Sequence, residues 1–301
     1  MLSHIKSIKT GVLSFLIVLF FMPLGHALVV LNEKVIPDYK FLGAGIIGFT
    51  GLFLFILGIR KNKNPLTATL LGLIAGILIW TGWVEFSFVW IAEKLGVSPL
   101  IENGEIATKP EYLVMLSSVG LLSTIIILYF FKQSSCTFFQ WFQRLGKINI
   151  VKPKAQEKFW TGITFIETIV VLWTFYIVLL LVYDKDIAGD RHPLTYLVAF
   201  GSLFWSFFLF LRLIKIQKFD YAIRYAIPTV IIFWNFIEVI GRWDLFKEIW
   251  VHPFEHWLEN SIILGLLIGF ILYYLIDNKK KTAQKKRIRI EKKAHEKTAK
   301  V

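Results

Sequence analysis

Cysteine is nearly absent: Cys136 is the only one in 301 residues. That excludes a disulfide scaffold, and iron–sulfur and cysteine–zinc centres need more sulfur than the chain has. Charge is scarce as well, at 18% of residues against 56% apolar. With a mean hydropathy of +0.62, a soluble chain of this length would leave too much apolar surface facing water. Disorder is excluded by 28 Phe, 11 Trp and 10 Tyr, far too many large apolar side chains for a chain that does not collapse. There is no nucleotide-binding loop, no Ser/His/Asp or Cys/His constellation, and no pair of intramembrane histidines for haem. The sequence names no cofactor and leaves open whether the chain is an enzyme.

Long apolar runs are present instead. A membrane-crossing helix needs roughly 20 mostly apolar residues. Eight stretches qualify: Gly11–Leu31, Phe41–Ile59, Leu66–Ile91, Leu113–Phe131, Phe159–Tyr183, Thr195–Ile214, Tyr225–Trp243 and Ile262–Ile276. The last is short unless its helix starts before Ile262. The expected fold is therefore an all-α polytopic membrane protein with eight transmembrane helices. The N-terminus imitates a signal peptide: Lys6 and Lys9 precede Val12–Met22 and then Pro23-Leu24-Gly25-His26-Ala27. Because the apolar run continues through Leu28–Leu31, it is too long for a signal and reads as a retained span.

Lys and Arg are distributed unevenly among the loops. Counting Arg212 and Arg242, near the ends of their spans, with the adjoining loops, the N-terminus, the second, fourth and sixth loops and the C-terminal tail carry 2, 3, 6, 4 and 11, and the other four loops carry 2 each. The positive-inside rule then puts both termini in the cytoplasm, by default of a plasma or inner membrane. Most of the net charge of +13 lies in the tail after Asn278. There it reads as an anchor for anionic lipid headgroups rather than a nucleic-acid site, since no aromatic side chains interleave it.

The chain also reads as an internal duplication. Thr10-Gly11 matches Thr161-Gly162, Glu85 and Trp90 match Glu238 and Trp243, and Val97-Ser98-Pro99-Leu100 matches Val251-His252-Pro253-Phe254. The alignment needs about ten extra residues near Glu102–Lys109 in the first half. The expected domains are 1–131, a first four-helix half; 132–158, a cytoplasmic linker with an interfacial helix near Phe138–Leu145; 159–277, a second four-helix half; and 278–301, the basic tail. An even number of spans per repeat makes the halves parallel, related by an axis along the membrane normal.

Ionisable groups inside spans are costly and tend to face a bundle interior or a cavity. The candidates for a proton, ion or substrate site are His26, Glu85, Asn235, Glu238 and Arg242. Glu238 and Arg242 are spaced i,i+4, which predicts an intrahelical ion pair. Glu85 has no such partner on its own helix. Glu167, in the inner part of the fifth span and flanked by Thr164 and Thr168, is a further acid without a sequence-local partner. His252, Glu255 and His256, with Glu259 beyond, are the nearest approach to a metal motif, although Pro253 suits a helix start there. Trp243, Trp250 and Trp257 recur every seven residues and read as one stripe of an interfacial belt. Gly43, Gly45, Gly48 and Gly51 give the second span small faces for close packing.

The reading that fits best is a transporter-like protein using intramembrane carboxylates in the outer half of the bundle. The alternatives are a structural or assembly subunit of a membrane complex, with a protein partner or in a homo-oligomer, and a membrane enzyme acting on a lipid or other apolar substrate.

Overall fold

A computed structural model of the chain describes residues 2–102, 105–131, 140, 143–146 and 159–298. The expected linker, its interfacial helix and Cys136 fall almost wholly outside the described residues. The architecture is all-α apart from one two-stranded hairpin. The helices are α1 (Leu2–Val35), α2 (Lys40–Arg60), α3 (Pro65–Ile79), α4 (Phe86–Leu95), α5 (Pro110–Leu116), α6 (Val119–Phe131), α7 (Trp160–Tyr183), α8 (Pro193–Leu213), α9 (Phe219–Arg242) and α10 (Trp257–Thr298). A π-helical segment, Trp80–Glu85, joins α3 to α4, and the three form one continuous span. The hairpin pairs Leu100–Glu102 with Glu105–Thr108 and precedes α5.

Among the described residues, seven helices are long and apolar enough to cross a membrane, and an eighth crossing exists if α5 and α6 count as one span bent by 49°. The bend falls at Ser117 and Ser118, whose hydroxyls donate to the carbonyls of Val114 and Met115 at 2.7 and 2.6 Å. Trp173 of α7 donates its indole N–H to the Ser118 hydroxyl at 2.8 Å, which fixes the bend against the bundle. The last span reaches full length because α10 begins at Trp257, ahead of the apolar run.

Local chemistry explains several helix ends. Asn64 accepts a hydrogen bond from the Thr67 N–H at 3.4 Å, with Pro65 in the first helical position. His192 does the same for Leu194 at 3.2 Å, ahead of Pro193. Gly96 ends α4 in the left-handed region at φ +63°, which a glycine adopts without steric cost.

The core lies on α3 and α9, the two most buried spans, with Leu73, Ile223, Ile227 and Ile232 fully enclosed. The packing has a pattern. α2 lies along α3 and α8 along α9, while α3 packs on α7 and α9 on α1. The close approaches use small residues. A Cβ on Gly11 would stand 2.5 Å from the Ile214 Cα, and one on Gly72 would stand 2.6 Å from the Thr161 carbonyl oxygen. In the second span, Gly48 receives the Trp83 ring, Gly51 meets Ile79, and Gly43 meets Asn32. Gly45 meets nothing within 4 Å, so only part of that glycine series serves close packing.

One buried cation ties three helices together. Arg224 of α9 is 2% exposed. It donates to the Thr69 hydroxyl of α3 at 2.9 Å, pairs with Asp220 at 3.5 Å, and lies over the Trp160 ring of α7 at 4.2 Å.

Candidate functional site

At the hairpin end of the bundle, between α1, the π segment, α7 and α9, lies a cavity of about 260 Å³. All five residues singled out as a candidate site line it: His26, Glu85, Asn235, Glu238 and Arg242. They come from three different spans. What brings them together is helix direction, since α1, α4 and α9 all end on this side.

Glu238 is held from two directions. Trp234, one turn earlier on α9, donates its indole N–H to Oε1 at 2.5 Å. The Nε2 of His26, reaching across from α1, stands 3.3 Å from the same oxygen. The His26 ring stacks on Trp234 with centroids 6.1 Å apart and planes at 21°. Its Nε2 also lies 3.4 Å from the Tyr176 hydroxyl. His26 of α1 and Glu238 of α9 therefore stand side by side across the cavity wall.

The i,i+4 pairing expected of Glu238 and Arg242 does not form. Arg242 turns instead to Asp190, in the loop before α8, with Nε 2.5 Å from Oδ1. Its guanidinium lies over the Tyr183 ring at 4.2 Å. Asp190 also holds the α9 terminus through its carbonyl oxygen, which accepts from the Trp243 indole at 2.8 Å. Equal spacing permits a contact along one helix, but a better-aligned acid on a neighbouring segment takes the arginine.

Glu85 closes the π-helical segment and is 5% exposed. Among the described residues, no side chain or backbone group reaches its carboxylate within hydrogen-bonding distance. Asn235 is 2% exposed, and its amide nitrogen also lacks a partner. Both line the cavity. Buried polar groups are normally satisfied, and the Asn235 amide nitrogen is an exception on the wall of this cavity. The π segment sets the direction of Glu85, because one inserted residue turns the rest of a helix by about 100°.

The remaining wall is aromatic. Trp80 and Tyr176 are 5.5 Å apart between ring centroids, and Tyr112 and Tyr176 are 6.3 Å apart. Trp250 backs Trp234 at 4.8 Å. Thr108 and Lys109, from the end of the hairpin, line the cavity too, and Lys109 pairs with Glu111 at 3.8 Å. Glu248, in the loop after α9, completes the wall. Burial, reinforced by Glu238 and Asp244, pushes its carboxyl up to about 7.

Sequence reasoning did not single out Trp80, Tyr112, Tyr176 or Trp234, which are indistinguishable in composition from rings packed elsewhere. The expected tryptophan stripe is broken up, because residues 243–256 form turns rather than helix. Trp243 packs on Tyr196 at 4.5 Å, Trp250 is buried at 7%, and Trp257 is 65% exposed. His252 and His256 do not share one ligand set. Each has its own acid, Glu255 at 3.9 Å and Glu259 at 3.5 Å. Among the described residues no group of three or more His, Cys, Asp or Glu is placed to hold a metal ion. Glu167 is buried on α7 away from the cavity, and its flanking Thr164 and Thr168 donate to the carbonyls of Trp160 and Thr164.

Comparison with protein-family models, with curated proteins and with solved structures finds no match.

Proposed function

We propose that the chain is a transporter-like integral membrane protein, with eight spans in two parallel four-helix halves and the cavity as its solute site. The observation that carries this reading is the ownership of the cavity. His26 and Glu85 belong to the first half, Tyr176, Asn235 and Glu238 to the second, and all line the same space.

Two features support the duplication. The hairpin Leu100–Thr108 falls where the alignment of the halves requires extra residues. The packing is also reciprocal. α3 of the first half packs on α7, which opens the second, and α9 of the second packs on α1, which opens the first. The approach of Gly58 to Thr161 is the counterpart of that of Ile214 to Gly11, displaced by one residue at each position.

Exchange between access states then requires one half to rock against the other around the cavity. The contact of His26 with Glu238 crosses that boundary, so solute or a proton arriving at Glu238 competes with the tie between the halves. With both termini cytoplasmic, as loop charge indicates, the cavity lies in the outer half of a plasma or inner membrane. The basic continuation of α10 then meets anionic headgroups.

The test is solute-evoked current from proteoliposomes on a solid-supported membrane, using a panel of small cationic, anionic and neutral solutes. One class is expected to evoke current or proton movement, and Glu85→Gln with Glu238→Gln should abolish it while the protein stays monodisperse. Silence across the whole panel, together with a stoichiometric partner protein after mild purification, would overturn transport in favour of a subunit role.

A further inference from the structure

The cavity wall also bears on which solute it takes, and this step rests on the transport reading above. We propose that the cavity binds a small organic cation, a quaternary or protonated amine, with Glu85 as counter-charge and the rings of Trp80, Tyr112, Tyr176 and Trp234 as its cage.

Three carboxyl groups line the cavity, those of Glu85, Glu238 and Glu248. Of the two permanent cations there, Arg242 is paired with Asp190, and Lys109 is a half-exposed side chain 3.8 Å from Glu111. With a neutral solute or none, a buried carboxyl such as Glu85 holds a proton, whereas a cationic solute supplies the counter-charge that lets it ionise. An aromatic wall adds to this. Trp80, Tyr112 and Tyr176 form one contiguous run, and His26 continues it to Trp234. Ring faces attract desolvated organic cations. The wall already holds one such contact, Arg242 over Tyr183.

A hard divalent cation fits the lining less well. Hard cations need several oxygen ligands at bonding distance, and no group of three or more acidic or histidine side chains is so placed among the described residues. Size is the remaining argument. The cavity is about 260 Å³, just below the ~300–1,000 Å³ typical of drug-sized ligands, which suits a compact solute. The unpaired amide nitrogen of Asn235 would serve an acceptor group carried on such a cation.

The same chemistry could be presented by a free amine or by the headgroup of a choline lipid, and the experiment separates them. The full chain is placed in phosphatidylglycerol nanodiscs and titrated calorimetrically with choline, and separately with its neutral isostere, in which tert-butyl replaces trimethylammonium. Choline is expected to bind and the isostere not. Glu85→Gln and Tyr176→Leu should each weaken binding about tenfold or more, while Tyr176→Phe, which keeps the ring face, should stay within about threefold. Thermal unfolding without ligand checks that each variant is folded. In phosphatidylcholine nanodiscs, retained binding assigns the site to a free amine, and lost binding assigns it to the headgroup.

Equal binding of the isostere, or no choline binding at all, overturns the proposal. Current evoked by an anionic or neutral solute without choline binding would sink the cation class and leave transport standing. Choline binding without flux would support the cation class and count against transport.

Discussion

Gly72 offers a sharp test of how the cavity is held to its dimensions. It lies on α3 where that helix crosses α7, and a Cβ added there would stand 2.6 Å from the carbonyl oxygen of Thr161. Carbon–oxygen contacts between helices settle at about 3.3 Å, so Gly72→Ala must part the helices by about 0.7 Å. The obstruction is backbone on both sides, and no rotamer change relieves it. Overpacking of this kind costs about 1–3 kcal/mol, against a gain of about 1 kcal/mol from replacing a helical glycine. Gly45→Ala, on α2, makes the same chemical change where nothing lies within 4 Å. The two variants should therefore differ by about 1–3 kcal/mol, with Gly72→Ala the less stable. Reversible unfolding in mixed micelles measures both. The consequence reaches the site, because α3 leads into the π segment bearing Glu85 and α7 carries Tyr176. If Gly72→Ala proved as stable as Gly45→Ala, the α3–α7 crossing described here would be wrong.

Other perturbations probe separate parts of the molecule. The Glu248 carboxyl is raised to about 7 from 4.5, mainly by burial, so the folded chain holds that proton more tightly than the unfolded one. Its contribution to stability is present at low pH and is lost as pH rises through about 7. Glu248→Gln should therefore be more stable than the parent at pH 8, with the gap closing toward pH 5; a pH-independent difference in thermal midpoint would refute this. Asp190→Asn should destabilise the chain by about 1–2 kcal/mol, between the values for exposed and buried pairs, because the Asp190 and Arg242 side chains are 32% and 23% exposed. A double-mutant cycle with Arg242→Gln reads the coupling, and a value near zero would show that the pair does not hold α9. As the sole cysteine, Cys136 reports topology. An impermeant maleimide should label it in inside-out vesicles and not in intact cells, and the reverse pattern would invert the proposed orientation.

The polar part of the site was legible in the sequence for a physical reason. In an apolar span an ionisable side chain is costly wherever it sits, so His26, Glu85 and Glu238 declared themselves by being there at all. Asn235 and Arg242 followed from their places on the same helix. The aromatic part was not legible. Among 28 Phe, 11 Trp and 10 Tyr, nothing in the type or spacing of Trp80, Tyr112 or Tyr176 separates a cavity wall from a packed core or a lipid-facing belt. Contacts between segments were hidden too. Helical spacing offered Arg242 to Glu238, and only the fold shows that Asp190 is nearer. The tryptophan stripe failed because a seven-residue recurrence implies a face only where the backbone is helical, and residues 243–256 are turns.

The two carboxylates occupy matched places in the proposed halves, yet their surroundings have diverged. Counting back from each acid along the alignment, Trp234 corresponds to Thr81 and Asn235 to Gly82. Glu238 consequently has an indole donor one turn away, and Glu85 does not. The backbone has diverged with the side chains. Ile59 and Ile214 align, and the first half then needs two more residues than the second to reach its carboxylate. A π-helical insertion absorbs one residue within a span without breaking it, and the first half has such a segment at Trp80–Glu85, where the second has regular helix. Two equivalent carboxylates facing one cavity would repel each other and compete for the same proton. Under the proposed duplication, divergence would resolve that conflict by giving them different tasks. Glu238, bonded to Trp234 with His26 beside it, would join the proposed halves. Glu85, turned by the insertion, would be the carboxyl left to meet a solute.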